Sequence, residues 1–258
     1  MNGLSPLRQA PARHPLSRGW VWVRSGFDIF NKGMGASVAM VVFWFGVGMV
    51  LDLLPAGGLI SQLLYMVWGA GWAVVAARGY RGEALNFNDL FAGFRHKLTP
   101  LMLGGLLVLA LFTLIGLVCV GLLSMWGLLS VLTQDPDSMV VSVLQVQQLL
   151  IVLLVGMVLV IPVLMAVTFA PALIYFHDIG ILQAARLSFA GCWRNMWPFF
   201  WWGILCAILL LFGAVLLLVG LLVVIPALNY SIYVAYRDIF VDEEGEVTPP
   251  VTPFGFEA

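Results

Sequence analysis

The sequence predicts an all-α, polytopic membrane protein with six transmembrane helices, arranged as three hairpins that each follow an amphipathic interfacial helix. Three observations lead there. Of 258 residues, 62% are hydrophobic and only 10% charged, against about a quarter charged in soluble proteins, and the mean hydropathy is +1.03. The long runs without charge exceed the ~20 residues that a spanning helix needs. A short motif also recurs: Phe189-Ala190-Gly191 lies as far before Pro198 as Phe91-Ala92-Gly93 lies before Pro100, and residues 25–33 hold a weaker copy.

Residues 1–18 are basic and carry Pro6, Pro11 and Pro15, so they are expected to form a disordered arm. A cleavable signal peptide is not expected, because the first apolar run begins only at Met34 and is longer than the ~7–15 residues of a signal core. Within 19–32, Trp20, Val23, Phe27 and Phe30 recur at steps of three and four, opposite Arg24, Ser25, Asp28 and Asn31, which predicts the first interfacial helix. Residues 34–54 form the first span, 55–58 a tight turn, and 59–77 the return.

Asn86 and Asp89 have the spacing of an N-cap and its N3 partner. They open a second interfacial helix with an apolar face of Phe87, Leu90, Phe91 and Phe94 and a basic end at Arg95, His96 and Lys97. Pro100 suits the first turn of the next helix, where its missing N–H costs nothing. The uncharged run 98–134 is longer than one span requires, so this helix tilts, bends or protrudes. A turn follows at 134–138, with Asp137 or Ser138 as cap of the fourth helix. Ser142, Gln145, Gln147 and Gln148 are expected outside the hydrocarbon, the span proper covering about 149–175 with kinks at Pro162 and Pro171. Residues 182–198 are the third interfacial segment. From 195 to 236 no charge appears, enough for two spans joined near Val219 and Gly220, the last kinked at Pro226. The stretch 19–240 is thus one membrane domain. Residues 241–258 hold Asp242, Glu243, Glu244 and Glu246 with three prolines, an acidic tail expected to be disordered.

With six spans placed, all twelve Lys and Arg residues fall on one side. The opposite turns hold Asp52, Asp135 and Asp137 and no basic residue. The positive-inside rule then places both termini in the cytoplasm.

Groups able to do chemistry are few. His14, His96 and His177 fall in the cytoplasmic flanks and none within a span, so a bis-His haem is not expected, and no cofactor is. His177 and Asp178, with Glu83, Asp89 and His96, form either a weak metal or acid-base cluster or ordinary interfacial polarity. Cys119, Cys192 and Cys206 have neither the number nor the spacing of a disulfide framework or zinc site and read as inert packing residues. The absence of any basic stripe beyond the flanks argues against nucleic acid. An ionisable group inside a bilayer marks transport pathways, yet the only candidate, Asp52, lies at the end of its span. The other polar candidates are Gln62, Ser124, Ser130, Thr168, Asn229, Tyr230, Ser231 and Tyr233. Asn229, Tyr230 and Ser231 follow Pro226 and form the best possible polar pathway, or else simple helix-helix hydrogen bonds. The glycine pairs 46/48, 69/71, 104/105 and 116/121 read as close-packing points. Trp193 and Trp197 lead a cluster with Phe199, Phe200, Trp201 and Trp202 at bilayer depth. With Arg186 and Arg194 they are either structural anchors or a platform for an anionic lipid headgroup.

The succession of aromatic, basic segments before helical hairpins across 19–240, with its Phe-Ala-Gly triplets, resembles a broad group of six-span inner-membrane proteins of proteobacteria. It is also similar to the membrane-anchor domain that precedes some bacterial glycerophosphodiester phosphodiesterases. The resemblance implies residence in a bacterial inner membrane and transfers no catalytic residue. The expected function is non-enzymatic: organising membrane lipids or a partner protein at the cytoplasmic leaflet, with the acidic tail available for docking. The alternative is a small-molecule or lipid permease that moves its kinked fourth and sixth helices.

Overall fold

A computed structural model describes residues 6–127, 142–215 and 219–242. The helices are α1 (Arg18–Lys32), α2 (Met34–Asp52), α3 (Gly57–Tyr80), a 3₁₀ turn (Phe87–Phe91) running into α4 (Ala92–His96), α5 (Leu98–Met125), α6 (Val143–Val167), α7 (Ala170–His177), α8 (Ile181–Arg194), α9 (Met196–Val215) and α10 (Leu221–Phe240). Five stretches are long and apolar enough to cross a membrane: α2, α3, α5, α9 and the run Val143–His177 that joins α6 and α7.

The helix expected as the sixth span, α10, is not among them. It carries Asn229, Tyr230, Ser231, Arg237 and Asp238, and thirteen of its twenty residues are buried. Its polarity faces protein, which removes the demand for an apolar surface that lipid makes on the other helices. Met49 and Leu211, by contrast, are 74% and 66% exposed.

The recurring motif has a structural counterpart at its C-terminal end. Each motif-bearing helix, α1, α4 and α8, is separated from the next helix by one residue, Gly33, Lys97 or Asn195, with φ of −156°, −137° and −117° and ψ of 53°, 34° and 31°. The third residue beyond two of these joints is Pro100 or Pro198, which pre-sets the first helical turn. Each amphipathic segment also packs on the second long helix of a neighbouring unit: the 3₁₀ turn and α4 on α3, α8 on α6 and α7, and α1 on α10. The last contact closes the order on itself.

Close backbone approach makes these contacts possible. A Cβ at Gly26 would lie 2.2 Å from the Ala227 carbonyl oxygen, and one at Gly93 2.4 Å from that of Val67. The paired glycines divide: Gly71 and Gly105 press on backbone, whereas Gly46, Gly48, Gly116 and Gly121 face open space and are not packing points.

Several expectations are corrected. The buried face of α1 is Trp22, Val23, Gly26, Ile29 and Phe30, while Trp20 is 53% exposed. The helix is turned so that Trp22 Nε1 donates to Asp238 at 2.7 Å. Residues 6–17 of the arm are not free chain: Leu7 pairs with Val241, Arg8 N donates to Phe240 O and Ala12 N to Ile239 O, each at 2.8 Å. Asn86 caps the 3₁₀ turn by accepting from Asn88 N, but Asp89 pairs with Arg78 at 2.7 Å instead of reaching back. α6 begins at Ser142 in a capping box with Gln145; Asp137, Ser138 and Ser130 lie outside the described residues, as do 243–258 of the tail.

Of the two prolines expected to kink the fourth long helix, Pro162 lies inside continuous helix and Pro171 lies at a break. The helix breaks at Thr168 and Phe169, where Pro171 at the start of α7 can offer no N–H to the Val167 carbonyl. The Ser188 hydroxyl of α8 is inserted there, accepting from Phe169 N at 3.0 Å and donating to Met165 O at 2.7 Å. It occupies the place of the missing i→i−4 bond between those two residues, a recognised cause of sharp bends.

Candidate functional site

The four residues of the expected headgroup platform all lie on the surface: Arg186, Trp193, Arg194 and Trp197 are exposed. The structure brings only Arg194 and Trp197 together in one groove, and adds Arg13, His14 and Leu16 from the N-terminal arm. Arg186 and Trp193 do not line it; Trp193 stacks on Phe189 at 5.9 Å.

What assembles this groove is the joint residue Asn195, which is fully buried. Its Oδ1 accepts from His14 N at 2.8 Å, and its amide donates to Ala12 O at 2.8 Å and to Gly191 O at 2.9 Å. Arg13 is thus held between two clamped residues, directly beside the residues that follow α8. A second fastening lies below it. His14 Nε2 donates to the Asp238 carbonyl oxygen at 3.1 Å, and the Asp238 carboxylate takes both Arg18 nitrogens at 2.6 and 2.8 Å together with the Trp22 N–H. Burial by itself raises the Asp238 carboxyl, but the bonds from Arg18 and Trp22 outweigh it and hold the group below the usual carboxylate range.

Arg13 and Arg194 have no carboxylate partner among the described residues. Two guanidinium groups on one groove repel each other unless an anion lies between them, and their planar forks match phosphate oxygens. Trp197, 67% exposed, has the apolar ring and N–H suited to the bilayer interface.

The polar triplet of α10 divides. Tyr230 is fully buried and its hydroxyl lies 2.9 Å from Ser37 Oγ. Ser231 donates to Leu228 O and accepts from Trp202 Nε1. Both are helix-helix fastenings. Asn229 alone reaches a cavity of about 290 Å³ between α2, α3, the α6–α7 break and α10.

The possible acid-base cluster is not assembled. His177 Nε2 lies 2.6 Å from the Tyr236 hydroxyl, Asp178 pairs with Lys97, and Asp89 pairs with Arg78. Among the described residues no group of three His, Cys, Asp or Glu side chains is placed to hold a metal. Cys192 and Cys206 are buried, and burial pushes the Cys192 thiol up to about 12, which keeps it protonated and unreactive.

Sequence reasoning missed Arg13, Asn195, Asp238 and Ser188. Arg13 was hidden in a proline-rich arm with no helical period. Asn195 stands where the other two copies of the motif carry Gly33 and Lys97, and that difference was its one available signal.

A probable inner membrane protein of Burkholderia thailandensis is 28% identical to this chain over 262 aligned residues, which cover 91% of this chain and 95% of the relative. No family model matches, and no solved structure does. Together with the five long apolar stretches, the likeness makes this a multi-pass helical membrane protein.

Proposed function

We propose that this is a non-enzymatic protein of a bacterial inner membrane that holds anionic lipid at the cytoplasmic leaflet. In this reading α10 as far as Tyr236 is the sixth span, with Arg237 and Asp238 beyond it, the spans form three hairpins, and both termini are cytoplasmic. The support for that orientation is the gathering of basic residues at one set of helix ends, where Lys32 donates to Gly79 O and Arg8 pairs with Asp242. The acidic tail is then free to meet a partner protein.

One observation carries the lipid reading: buried Asn195 fixes Arg13 beside Arg194 and Trp197. The test is native mass spectrometry of protein extracted with its lipids. Retained phosphatidylglycerol or cardiolipin is expected in the wild type and lost in Arg13→Ala/Arg194→Ala, with Asn195→Ala intermediate. Equal retention in the wild type and the double variant would refute it.

A second reading, a small-molecule or lipid permease, is favoured by the position of the cavity between the break in the fourth long helix and Asn229 of the last. Uptake into proteoliposomes that vanishes in Asn229→Ala would support it.

A further inference from the structure

The cavity beside Asn229 holds a chemistry that the headgroup groove does not. None of its lining residues is charged, so an ion entering it would lose its hydration and meet no counter-charge, a cost of several kcal/mol or more. Its walls are rich in aromatic rings, with Trp44, Trp68 and Trp72 among them. Along α3 it runs from Ser61 to Ala73, which at 1.5 Å per residue is about 18 Å. That shape, long and parallel to the helices, is the shape of a hydrocarbon chain. An apolar cavity about half as large takes up benzene, and an unfilled one forfeits the contacts of its lining atoms. Phe45 and Tyr65, each 46% exposed, mark the side on which it opens toward lipid.

Besides the hydroxyls of Tyr65, Thr168, Tyr233 and Tyr236, two polar groups interrupt the apolar lining. Ser61 Oγ is buried and makes no hydrogen bond, whereas a helical serine ordinarily finds a backbone carbonyl or water. The Asn229 amide is committed to Ile225 O at 2.9 Å, and its Oδ1 accepts no side-chain or backbone donor among the described residues. Within the bilayer no bulk water reaches such atoms, so each gains from a ligand that brings its own hydroxyl or carbonyl.

We infer that this cavity is a binding site for an uncharged, single-chain amphipathic lipid, a hydrocarbon chain bearing one hydroxyl or ester group that meets Ser61 and Asn229. The site does not depend on the headgroup groove: it lies between other helices and takes an uncharged ligand where the groove takes an anionic one.

The test uses the full-length protein in nanodiscs of zwitterionic lipid, with a photoactivatable medium-chain alcohol and its carboxylate analogue as probes. Labelling by the alcohol should concentrate on α2, α3 and the α6–α7 break, and unlabelled monoacylglycerol should compete it away. Ser61→Ala should weaken labelling by the alcohol about tenfold, the factor of one lost hydrogen bond of ~1.4 kcal/mol, with labelling by a matching alkane probe unchanged. Gly48 lines the cavity with open space where a Cβ would stand, so Gly48→Phe should fill it without displacing backbone and abolish labelling. Labelling spread evenly over all lipid-facing helices, labelling by the carboxylate as strong as by the alcohol, or labelling indifferent to both substitutions would each overturn the assignment. Should Gly48→Phe fail to fold, Ser61→Ala with the paired alcohol and alkane probes decides alone.

Discussion

Removing the Asp238 carboxylate should release the N-terminal arm and α1 together. In Asp238→Ala the indole N–H of Trp22, a residue with no exposed surface, loses its only acceptor among the described residues, at 2.7 Å. Leaving a buried donor unpaired costs about 1–3 kcal/mol. The Arg18 side chain is 41% exposed, so its ion pair is discounted to at most about 1 kcal/mol. The sum, about 1–4 kcal/mol, multiplies the open population roughly five- to several-hundred-fold at 1.4 kcal/mol per factor of ten. Arg13 and Arg18 are trypsin sites within the clamped segment, and cleavage there follows the open population when reclosing is fast. Limited trypsinolysis in nanodiscs should therefore accelerate by about fivefold or more, while Asp242→Ala, which removes an exposed pair, changes little. An unchanged cleavage rate in Asp238→Ala would refute the clamp. The same carboxyl sets a pH dependence. Because its folded value lies below its unfolded one, its contribution is complete above about pH 4 and is lost as pH falls through the lowered value. Pepsin should cut the wild-type arm with increasing ease as the medium is acidified through that range.

Further outcomes follow from the contacts. Gly26→Ala and Gly93→Ala force a methyl group against a backbone carbonyl and should each lower stability by about 1–3 kcal/mol in mixed-micelle unfolding, whereas Gly46→Ala, in open space, should be neutral. Tyr230→Phe should cost about 0.6–1.7 kcal/mol, the range of hydrogen bonds between membrane helices, and leave lipid retention intact; a loss of bound lipid would return Tyr230 to the polar pathway. For topology, a cysteine introduced at Gly58, at the start of α3, should react with an impermeant maleimide added from the periplasmic side; protection there would overturn the proposed orientation.

The helices were largely legible because bilayer length and charge segregation are one-dimensional signals. α2 and α3 begin and end, and α5 and α9 begin, close to where the charges and turn residues place them. What could not be read was how the units meet. The face of α1 is the clearest case: of the apolar stripe Trp20, Val23, Phe27 and Phe30, Val23 and Phe30 are buried but Trp20 is exposed, and the buried face runs on through Trp22, Gly26 and Ile29. The hydrophobic period records where apolar side chains are, and in a membrane both the lipid side and the protein side are apolar. Glycine at position 26 and an indole N–H aimed at Asp238 decide the rotation, and neither contributes to a hydrophobic pattern. The arm was misjudged for a related reason. Three prolines exclude a regular helix but not an extended chain laid along the end of α10.

The polar residues make the same point about function. Intramembrane polarity singled out Asn229, Tyr230 and Ser231 as one site because they are adjacent in sequence, yet adjacent residues on a helix point about 100° apart. One turns to the cavity and two turn to Ser37 and Trp202. On α3 the polar residue singled out was Gln62, while the atom left without a partner beside the cavity is the hydroxyl of its neighbour Ser61. Serine is tolerated in membrane helices because it can bond its own backbone, so its presence in a sequence carries little information. Its failure to make that bond carries a great deal. A transport or binding site inside a bilayer is marked less by how many polar residues a helix contains than by which polar atom the folded protein leaves unsatisfied, and that quantity exists only once the helices have been assembled.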